Sequence, residues 1–238
     1  MNIALIYAGG QGSRLYNYSR PKQFLEYRGK PILIYTIGLF QAIAEIDGIV
    51  VVCLEDWIPY LKSLIKENRL TKVVEVVPGG KSGQDSIYKG LECAARHYPD
   101  DTLVMIHDGV RPLAMAKTIV ECIAVAKKKG NCVVCVPAME TVILRKPDGG
   151  VDLPVRDSCL LGRAPQCFRL SEVLDAHRRA QAEDRHDFVD TCTMMHHYGH
   201  RFHTILGSFE NIKITTPADY FMFQAIMKSR EEESIFGF

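Results

Sequence analysis

The chain has 238 residues, of which 47% are hydrophobic and 24% are charged, and its formal net charge is +1. This balance argues against a nucleic-acid partner, so any site for an anion must be local. The N-terminus lacks the basic start of a signal peptide and no apolar run reaches the ~18 residues of a membrane helix, so we expect a cytoplasmic protein with no membrane partner.

Short β-rich runs alternate with helical stretches along the first 138 residues. Continuous apolar strands that alternate with helices are typical of a mainly parallel sheet with helices on both faces, and we expect one domain spanning residues 1–238. The predicted strands lie at 3–8, 49–54, 72–78, 102–107 and 132–138, and the predicted helices at 31–46, 56–68, 84–97 and 116–129.

The alternation breaks after residue 138. Residues 140–156 predict two strands around a turn at Pro147–Gly150, and we expect this hairpin to project from the sheet as a β-arm of about residues 139–160 that contacts a second copy of the chain. Beyond the arm, the sequence predicts helices at 170–184, 189–198 and 216–229 and strands at 201–207 and 211–215.

Eight cysteines are spread through the chain, several of them in apolar segments such as VVCL and CVVCV. We interpret them as reduced core residues of a cytosolic protein. Cys132 and Cys135 form a C-x-x-C pair, but it lies inside a predicted buried strand and no second pair accompanies it, so we favour a core position over a redox or zinc site.

The first predicted strand leads into the stretch AGGQGSRLYNYSRPKQF, residues 8–24. Its glycines, Gly9, Gly10 and Gly12, let backbone N–H groups approach a phosphate closely because no Cβ intervenes. Arg14 and Lys22 then add positive charge, Arg14 as a planar fork and Lys22 as a point. A flexible glycine turn with solvated cations is the structural alternative for this loop taken alone.

Two familiar phosphate-binding loops do not fit the sequence. The dinucleotide fingerprint requires a third glycine where Leu15 stands, and Pro21 falls before any helix can open. The string GGKS at residues 79–82 resembles the end of a Walker A loop, but that motif needs a glycine where Glu75 lies in a strand.

Four further clusters accompany the glycine loop. Gly79 and Gly80 follow the third strand, with Asp85 and Ser86 at the start of the next helix. The fourth strand ends in His107-Asp108-Gly109-Val110-Arg111, where Asp108 suits a metal ion or a ribose hydroxyl and Arg111 a phosphate. The other two clusters are the arginines that flank the return of the arm, Arg156 and Arg163, and the lysine of an apolar strand, Lys213.

All of these clusters except the arm arginines fall at the same end of the predicted parallel sheet. In doubly wound sheets, ligands bind beyond that edge. Each cluster alone has a structural explanation, such as a turn, a helix cap or a surface ion pair, but their convergence favours an anion-binding site.

In order, the motifs A-G-G-x-G-S-R, P-K-Q-F, G-G, H-D-x-V-R-P, P-Q-x-F and N-I-K-I-T-x-P-x-D resemble the sugar-alcohol-phosphate cytidylyltransferases over residues 2–229. This family includes 2-C-methyl-D-erythritol 4-phosphate and ribitol-5-phosphate cytidylyltransferases. The resemblance implies a Rossmann-like nucleotidyltransferase fold, a homodimer joined through the arm, Mg²⁺, and a reaction of CTP with a polyol phosphate that gives a CDP-polyol and pyrophosphate.

The resemblance also implies roles for individual residues. Arg14, Lys22 and Lys213 would stabilise the reacting phosphates, and Asp108 would lie beside the ribose and the metal. The remaining nucleotide contacts would be Ala8, Gly9, Gly10, Gly12, Gly80 and Ser86. The polyol phosphate would be bound by Arg111 and by the arm residues Thr141 and Arg156, in their own site or in that of a partner chain.

Two positions depart from the family pattern: Gly83 replaces the usual arginine, and Ala164 replaces the usual threonine before Pro165. The spacing from Arg14 to Lys22 and the string P-V-R at 154–156 resemble the ribitol branch, so we favour ribitol 5-phosphate. Methylerythritol phosphate, another polyol or sugar phosphate, and a nucleotide-binding protein without turnover stay as alternatives.

Overall fold

The computed structural model describes residues 1–10 and 20–236, with side chains described as far as residue 232. A seven-stranded sheet runs through the molecule, and its strands are β1 (Asn2–Ala8), β4 (Gly48–Cys53), β5 (Val73–Pro78), β6 (Leu103–Asp108), β7 (Cys132–Pro137), β10 (Leu160–Arg169) and β11 (Thr204–Leu206). Their order across the sheet is β11-β7-β10-β6-β1-β4-β5. Two small ribbons contain β2 (Glu26–Tyr27), β3 (Lys30–Pro31), β8 (Leu144–Arg145) and β9 (Val151–Asp152).

Six of the seven strands point the same way, which confirms the predicted mainly parallel sheet. The exception is β10, which lies antiparallel between β6 and β7 and was not predicted. Its pairing with β7 shifts register between Gly162 and Gln166, around Pro165. A proline cannot donate a ladder hydrogen bond, so it weakens the sequence pattern of a strand even where a strand forms.

Helices cover both faces of the sheet, as the sequence predicts. They are α1 (Ile32–Gln41), α2 (Ile58–Glu67), α3 (Gly83–His97), α4 (Ala116–Lys129), α5 (Leu170–Ala182), α6 (Thr191–His197) and α7 (Pro217–Phe236). No helix in the described part of the chain is both long and apolar enough to cross a membrane.

The core is divided by the sheet into two layers. Along β1, Ala4 and Ile6 join the cluster under α1, α2 and α4, whereas Ile3 and Leu5 join the cluster under α3, α5 and α6. Alternate residues of a strand point to opposite faces, so a strand that is apolar at every position must be covered twice. A third cluster, which includes Tyr27 and Phe223, joins α7 to the β2–β3 ribbon.

The arm forms as predicted, with β8 and β9 paired antiparallel around a turn in which Gly149 takes a φ of +86°. All eight cysteines are free thiols, and both Cys132 and Cys135 are buried in β7. One strand prediction was wrong: residues 211–215 form no strand. The alternating apolar residues, Ile212 and Ile214, both pack on the third cluster. One backbone hydrogen bond, from Ile214 N–H to Val110 O, ties this segment to the residues that follow β6.

Candidate functional site

The parallel strands bring separate parts of the sequence to one edge of the sheet. Tyr7 is paired with Asp108 across β1 and β6, Ala8 with Cys53 across β1 and β4, and Cys53 with Pro78 across β4 and β5. The segments that follow β1, β5 and β6 therefore leave the sheet side by side, as ligand-binding segments do in open α/β sheets.

A cradle of glycines forms where β1 and β5 end. A Cβ on Gly9 would lie 2.8 Å from Ser86 Oγ and 2.9 Å from Gly79 Cα, and one on Gly80 would lie 2.3 Å from the Cβ of Asp85. Only glycine fits at these close approaches. The Ser86 hydroxyl accepts a hydrogen bond from Gly80 N–H at 3.0 Å and donates to Ser82 O at 2.8 Å, so this buried side chain shapes the cradle from behind.

The start of α3 faces the same place. Ser82 caps this helix by accepting from Asp85 N–H, and the Asp85 carboxylate accepts from Ser82 N–H in return. The free N–H groups and dipole at the start of a long helix favour a negative charge. A cleft of about 490 Å³ lies here, lined by Gly9, Gly10, Leu54, Glu55 and residues 79–83. We call it the nucleotide cleft after the ligand that the sequence resemblance implies.

Gln23, which sequence reasoning did not single out, organises the loop after β1. Its buried side-chain amide donates to Ala8 O at 2.7 Å and to Gly10 O at 3.4 Å. Gln23 lies in a 3₁₀ turn that begins at the half-buried Lys22, so the hydrogen bonds of Gln23 tie this turn to the end of β1. Two predicted site residues of this loop, Gly12 and Arg14, lie outside the described residues.

Asp108 is the centre of a buried hydrogen-bond network at the end of β6. Its Oδ1 accepts from the Tyr7 hydroxyl at 2.7 Å and lies 2.6 Å from Lys213 Nζ. Its Oδ2 accepts from Arg111 Nε at 2.8 Å, and Arg111 Nη1 donates to Asn211 O at 2.8 Å. The structure thus brings together three of the residues predicted from sequence, Asp108, Arg111 and Lys213.

The charges of this network fix its protonation state. Burial alone would raise the pKa of Asp108, but the cations of Lys213 and Arg111 outweigh it and hold that pKa well below its usual range. Burial, followed by the negative charge of Asp108, raises the pKa of Tyr7 well above its ordinary value. Asp108 is therefore an anion and Tyr7 a neutral donor at neutral pH.

A second cleft, of about 220 Å³, opens beside Asp108. We call it the acceptor cleft, because the sequence resemblance implies that Arg111 binds the polyol phosphate that accepts the cytidylyl group. It is lined by Tyr7, Ile87, Ile106, Asp108, Arg111, Gly162, Arg163, Ala164, Gln166, Val189, Asp190, Thr191 and Lys213. Arg163, which the sequence placed only on the return of the arm, contributes a third cation here.

Two buried glutamines hold the segment that forms one wall of the acceptor cleft. Gln84 donates to Arg185 O at 2.7 Å and accepts from Phe188 N–H at 3.2 Å. Gln166 donates to Asp190 Oδ2 at 3.1 Å and accepts from Cys192 N–H at 2.9 Å. The amide of each glutamine both donates and accepts a hydrogen bond, so the wall segment is held at two points. Neither glutamine was predicted as a site residue, because the sequence does not show which segment it would contact.

The predicted arm residues do not line either cleft within one chain. Thr141 is exposed, and Arg156 is an exposed residue that pairs with Asp157 at 3.2 Å. Both lie on the arm, and neither is among the described residues that line the two clefts.

Asp108 fits Mg²⁺ as a single protein ligand. A carboxylate has about four lone-pair sites, and three of those on Asp108 accept from Tyr7, Arg111 and Lys213. Mg²⁺ in nucleotide enzymes is held by one or two carboxylates together with substrate phosphates. The residues present therefore suit an ion that is held mainly by a triphosphate.

Comparisons with known proteins match nearly the whole chain. Residues 2–229 match the family described as IspD, 2-C-methyl-D-erythritol 4-phosphate cytidylyltransferase. A ribitol-5-phosphate cytidylyltransferase of Streptococcus agalactiae serotype III is 44% identical over 238 residues, the whole of both chains. A 2-C-methyl-D-erythritol 4-phosphate cytidylyltransferase of Clostridium botulinum is 36% identical over 228 residues, 95% of this chain and 97% of the relative.

Among solved structures, a 4-diphosphocytidyl-2C-methyl-D-erythritol synthase from Anaerococcus prevotii superimposes with a TM-score of 0.81 at 24% identity. The match covers 95% of this chain and 96% of the other. At 24% identity, this similarity is evidence about the fold alone, and it confirms the predicted nucleotidyltransferase fold.

Proposed function

This chain belongs to the IspD family of cytidylyltransferases, and we propose that it transfers the cytidylyl group of CTP to D-ribitol 5-phosphate. An oxygen of the acceptor phosphate attacks the α-phosphorus of CTP and forms a new P–O bond. The bond from the α-phosphorus to the oxygen bridging to the β-phosphorus breaks, and pyrophosphate leaves with the electron pair, so the second product is CDP-ribitol.

The observation that carries this proposal is the pair of clefts at one edge of the sheet. The glycine-lined cleft suits a triphosphate, because backbone N–H groups and the start of α3 face it. The acceptor cleft suits a phosphate monoester, because its lining contains Arg111, Arg163 and Lys213. Tyr7, on β1, and Gly9, just after the end of β1, contribute to one cleft each.

Catalysis on this arrangement needs no general base, because a phosphate monoester is already an anionic nucleophile at neutral pH. The chemical problem is to bring two anions into line and to stabilise the charge that accumulates at the α-phosphorus. Lys213 is suited to this work since it lines the acceptor cleft with a side chain that is 39% exposed, while Asp108 orients its ammonium. We assign Lys22 and Arg14 to the same task on the nucleotide side.

Members of this family are metal-dependent enzymes. We propose Mg²⁺, which would be held by the triphosphate with Asp108 as the protein ligand and would supply neutralisation of phosphate charge. Asp108, anionic and fixed by three donors, also offers its remaining acceptor position to a ribose hydroxyl, and the two assignments compete for that position.

Ribitol 5-phosphate is favoured by the higher identity to the ribitol-named relative and by the string P-V-R at 154–156. The family description favours 2-C-methyl-D-erythritol 4-phosphate as the second candidate. Ala164, which lines the acceptor cleft, offers no hydroxyl to either substrate.

We also propose a homodimer joined through the arm. Apolar side chains on the arm are exposed, with exposed fractions of 62% for Leu153 and 73% for Val155. A contiguous set of exposed apolar residues of this kind marks an interaction surface. We propose that this dimer places Thr141 and Arg156 at the acceptor cleft of the partner, a role that the sequence resemblance implies.

The experiment that tests the function measures pyrophosphate release from each of the four nucleoside triphosphates with Mg²⁺ and a panel of polyol phosphates. We expect release with CTP and ribitol 5-phosphate at a kcat/KM well above that for methylerythritol phosphate, since one hydroxyl contact discriminates strongly. Binding of CTP without release by any acceptor would instead support a nucleotide-binding protein without turnover.

A further inference from the structure

The three cations of the acceptor cleft differ in their partners. Arg111 and Lys213 both pair with Asp108, and Arg111 also donates to Asn211 O. Arg163 lines the same cleft, but no carboxylate or carbonyl of the described residues lies within ion-pairing or hydrogen-bonding distance of its guanidinium. Arg163 is therefore the cation of this cleft whose charge the described chain leaves uncompensated.

The surroundings of Arg163 make that charge costly. The side chain is half-buried, and burial, followed by the positive charge of Arg111, lowers its pKa. An arginine in a protein nevertheless stays protonated. A half-buried guanidinium next to a second one is thus destabilised in the free protein, and a bound anion would relieve both effects.

The position of Arg163 indicates that this anion binds in the acceptor cleft and not in the nucleotide cleft. Its neighbours on β10, Gly162 and Ala164, line the acceptor cleft and not the nucleotide cleft. Ala164 O accepts from the Asn211 amide at 2.6 Å, which ties the strand carrying Arg163 to the segment carrying Lys213. This hydrogen bond therefore fixes the strand of Arg163 relative to the segment of Lys213, and both residues line the acceptor cleft.

We propose that Arg163 binds the phosphate group of the acceptor and so selects phosphorylated acceptors over free polyols, an inference that rests on the function proposed above. A guanidinium presents a planar fork of N–H donors that matches two phosphate oxygens at once. Arg163 holds the nucleophile in place and transfers no proton. Its loss should therefore appear mainly in the binding of the acceptor.

The test compares Arg163→Gln and Arg163→Lys with Arg169→Gln, which changes an arginine of the same strand at its far end, where it donates to Asp101 O at 3.5 Å. We expect Arg163→Gln to raise the KM for ribitol 5-phosphate by about 10- to 100-fold with the KM for CTP unchanged, the effect of one charge-assisted hydrogen-bonded contact. The KM of Arg163→Lys for ribitol 5-phosphate should fall between those of the parent and of Arg163→Gln, and the KM of Arg169→Gln should equal that of the parent. An unchanged acceptor KM, or an equal rise in the KM for CTP, would overturn the proposal.

A calorimetric titration separates this proposal from the function on which it rests. The probes are ribitol 5-phosphate and ribitol, added to the parent and to Arg163→Gln. If the parent binds ribitol 5-phosphate but releases no pyrophosphate, and the variant does not bind it, the function fails and the role of Arg163 stands. If the parent turns over and both proteins bind equally, the role of Arg163 fails and the function stands.

Folding of the variants is checked by their thermal unfolding midpoints. If Arg163→Gln does not fold, Arg163→Lys decides, because it keeps the charge and loses the fork. A raised acceptor KM in that variant supports the proposal, and an unchanged one overturns it.

Discussion

Lys213 and Asp108 form an ion pair in which the ammonium lies 2.6 Å from Oδ1, joining the segment before α7 to the end of β6. The two partners are unequally placed, since the side chain of Lys213 is 39% exposed and that of Asp108 only 6%. Asp108 holds the lysine in position, and Lys213, which lines the acceptor cleft, is available to a ligand there.

Replacing Lys213 should therefore affect activity much more than stability. We expect Lys213→Ala to lower kcat by about 10²- to 10³-fold, the cost of losing one preorganised donor to a transition state. The free energy of unfolding should fall by only about 1 kcal/mol, because Asp108 keeps Arg111 and Tyr7 as partners. Steady-state kinetics and urea unfolding measure the two effects.

The matched control is Lys228→Ala, which removes an exposed lysine paired with Glu232 on α7. This variant should keep both the kcat and the unfolding free energy of the parent. Proportional losses of activity and stability in Lys213→Ala would contradict a catalytic role and make the ion pair a structural one.

The glycine cradle gives a second prediction. Gly9→Ala places a methyl group 2.8 Å from Ser86 Oγ and 2.9 Å from Gly79 Cα, so the backbone of one strand end must move. We expect weaker CTP binding, by at least about tenfold, and a loss of about 1–3 kcal/mol in unfolding free energy from overpacking. Calorimetry with CTP and thermal unfolding measure both quantities.

Gly38→Ala is the control for that substitution, because Gly38 lies in α1 and nothing would approach its Cβ within 4 Å. Alanine in a helix interior is more favourable than glycine by about 1 kcal/mol, so this variant should be slightly more stable and bind CTP normally. Normal CTP affinity in Gly9→Ala would show that the close approach has no bearing on the nucleotide.

Much of this site follows from the sequence because parallel strands bring their carboxyl ends to one edge. Asp108, Arg111 and the glycines 79 and 80 each lie at or just after the end of a mainly apolar strand, so their convergence could be predicted from local patterns. Lys213 lies at the predicted end of the sheet, beside Asp108, but the strand at 211–215 on which that prediction depended does not form.

The parts that could not be predicted depend on contacts between distant segments. Because of Pro165, the sequence pattern does not predict β10, and without β10 the position of Arg163 in the acceptor cleft could not be predicted. Gln84 and Gln166 are ordinary polar residues in the sequence, and their function depends on the wall at residues 185–192 that folds against them. A side chain whose partners lie about 100 positions away leaves no periodic signature.

The arm gives a third prediction. We expect Leu153→Asp to convert a dimer into a monomer in sedimentation velocity, because a carboxylate in an apolar interface is desolvated without a partner. Phe221→Asp, an equally exposed apolar residue on α7, should leave the dimer intact. If Leu153→Asp and the parent sediment alike, either as dimers or as monomers, the arm is not the interface.

His177 gives the last prediction, a pH dependence of stability. Its ring is completely buried on α5, stacks on Tyr88 and has no partner for either nitrogen among the described residues. Burial lowers the pKa of His177 to about 4 from its ordinary value of 6.5. The unfolded chain therefore binds more protons than the folded one between these values, and stability falls as the pH falls through this window, by up to about 3 kcal/mol.

Urea unfolding between pH 7.5 and pH 4.5 tests this with the variant His177→Leu. We expect an unfolding free energy equal to or above that of the parent at pH 7.5, because an apolar side chain leaves no buried nitrogen unsatisfied. Below pH 6.5 the variant should lose less stability than the parent as acid is added. The comparison variant His196→Leu changes an exposed histidine of α6 and should keep the slope of the parent. If His177→Leu follows the parent at every pH, the acid sensitivity of this fold arises from other groups.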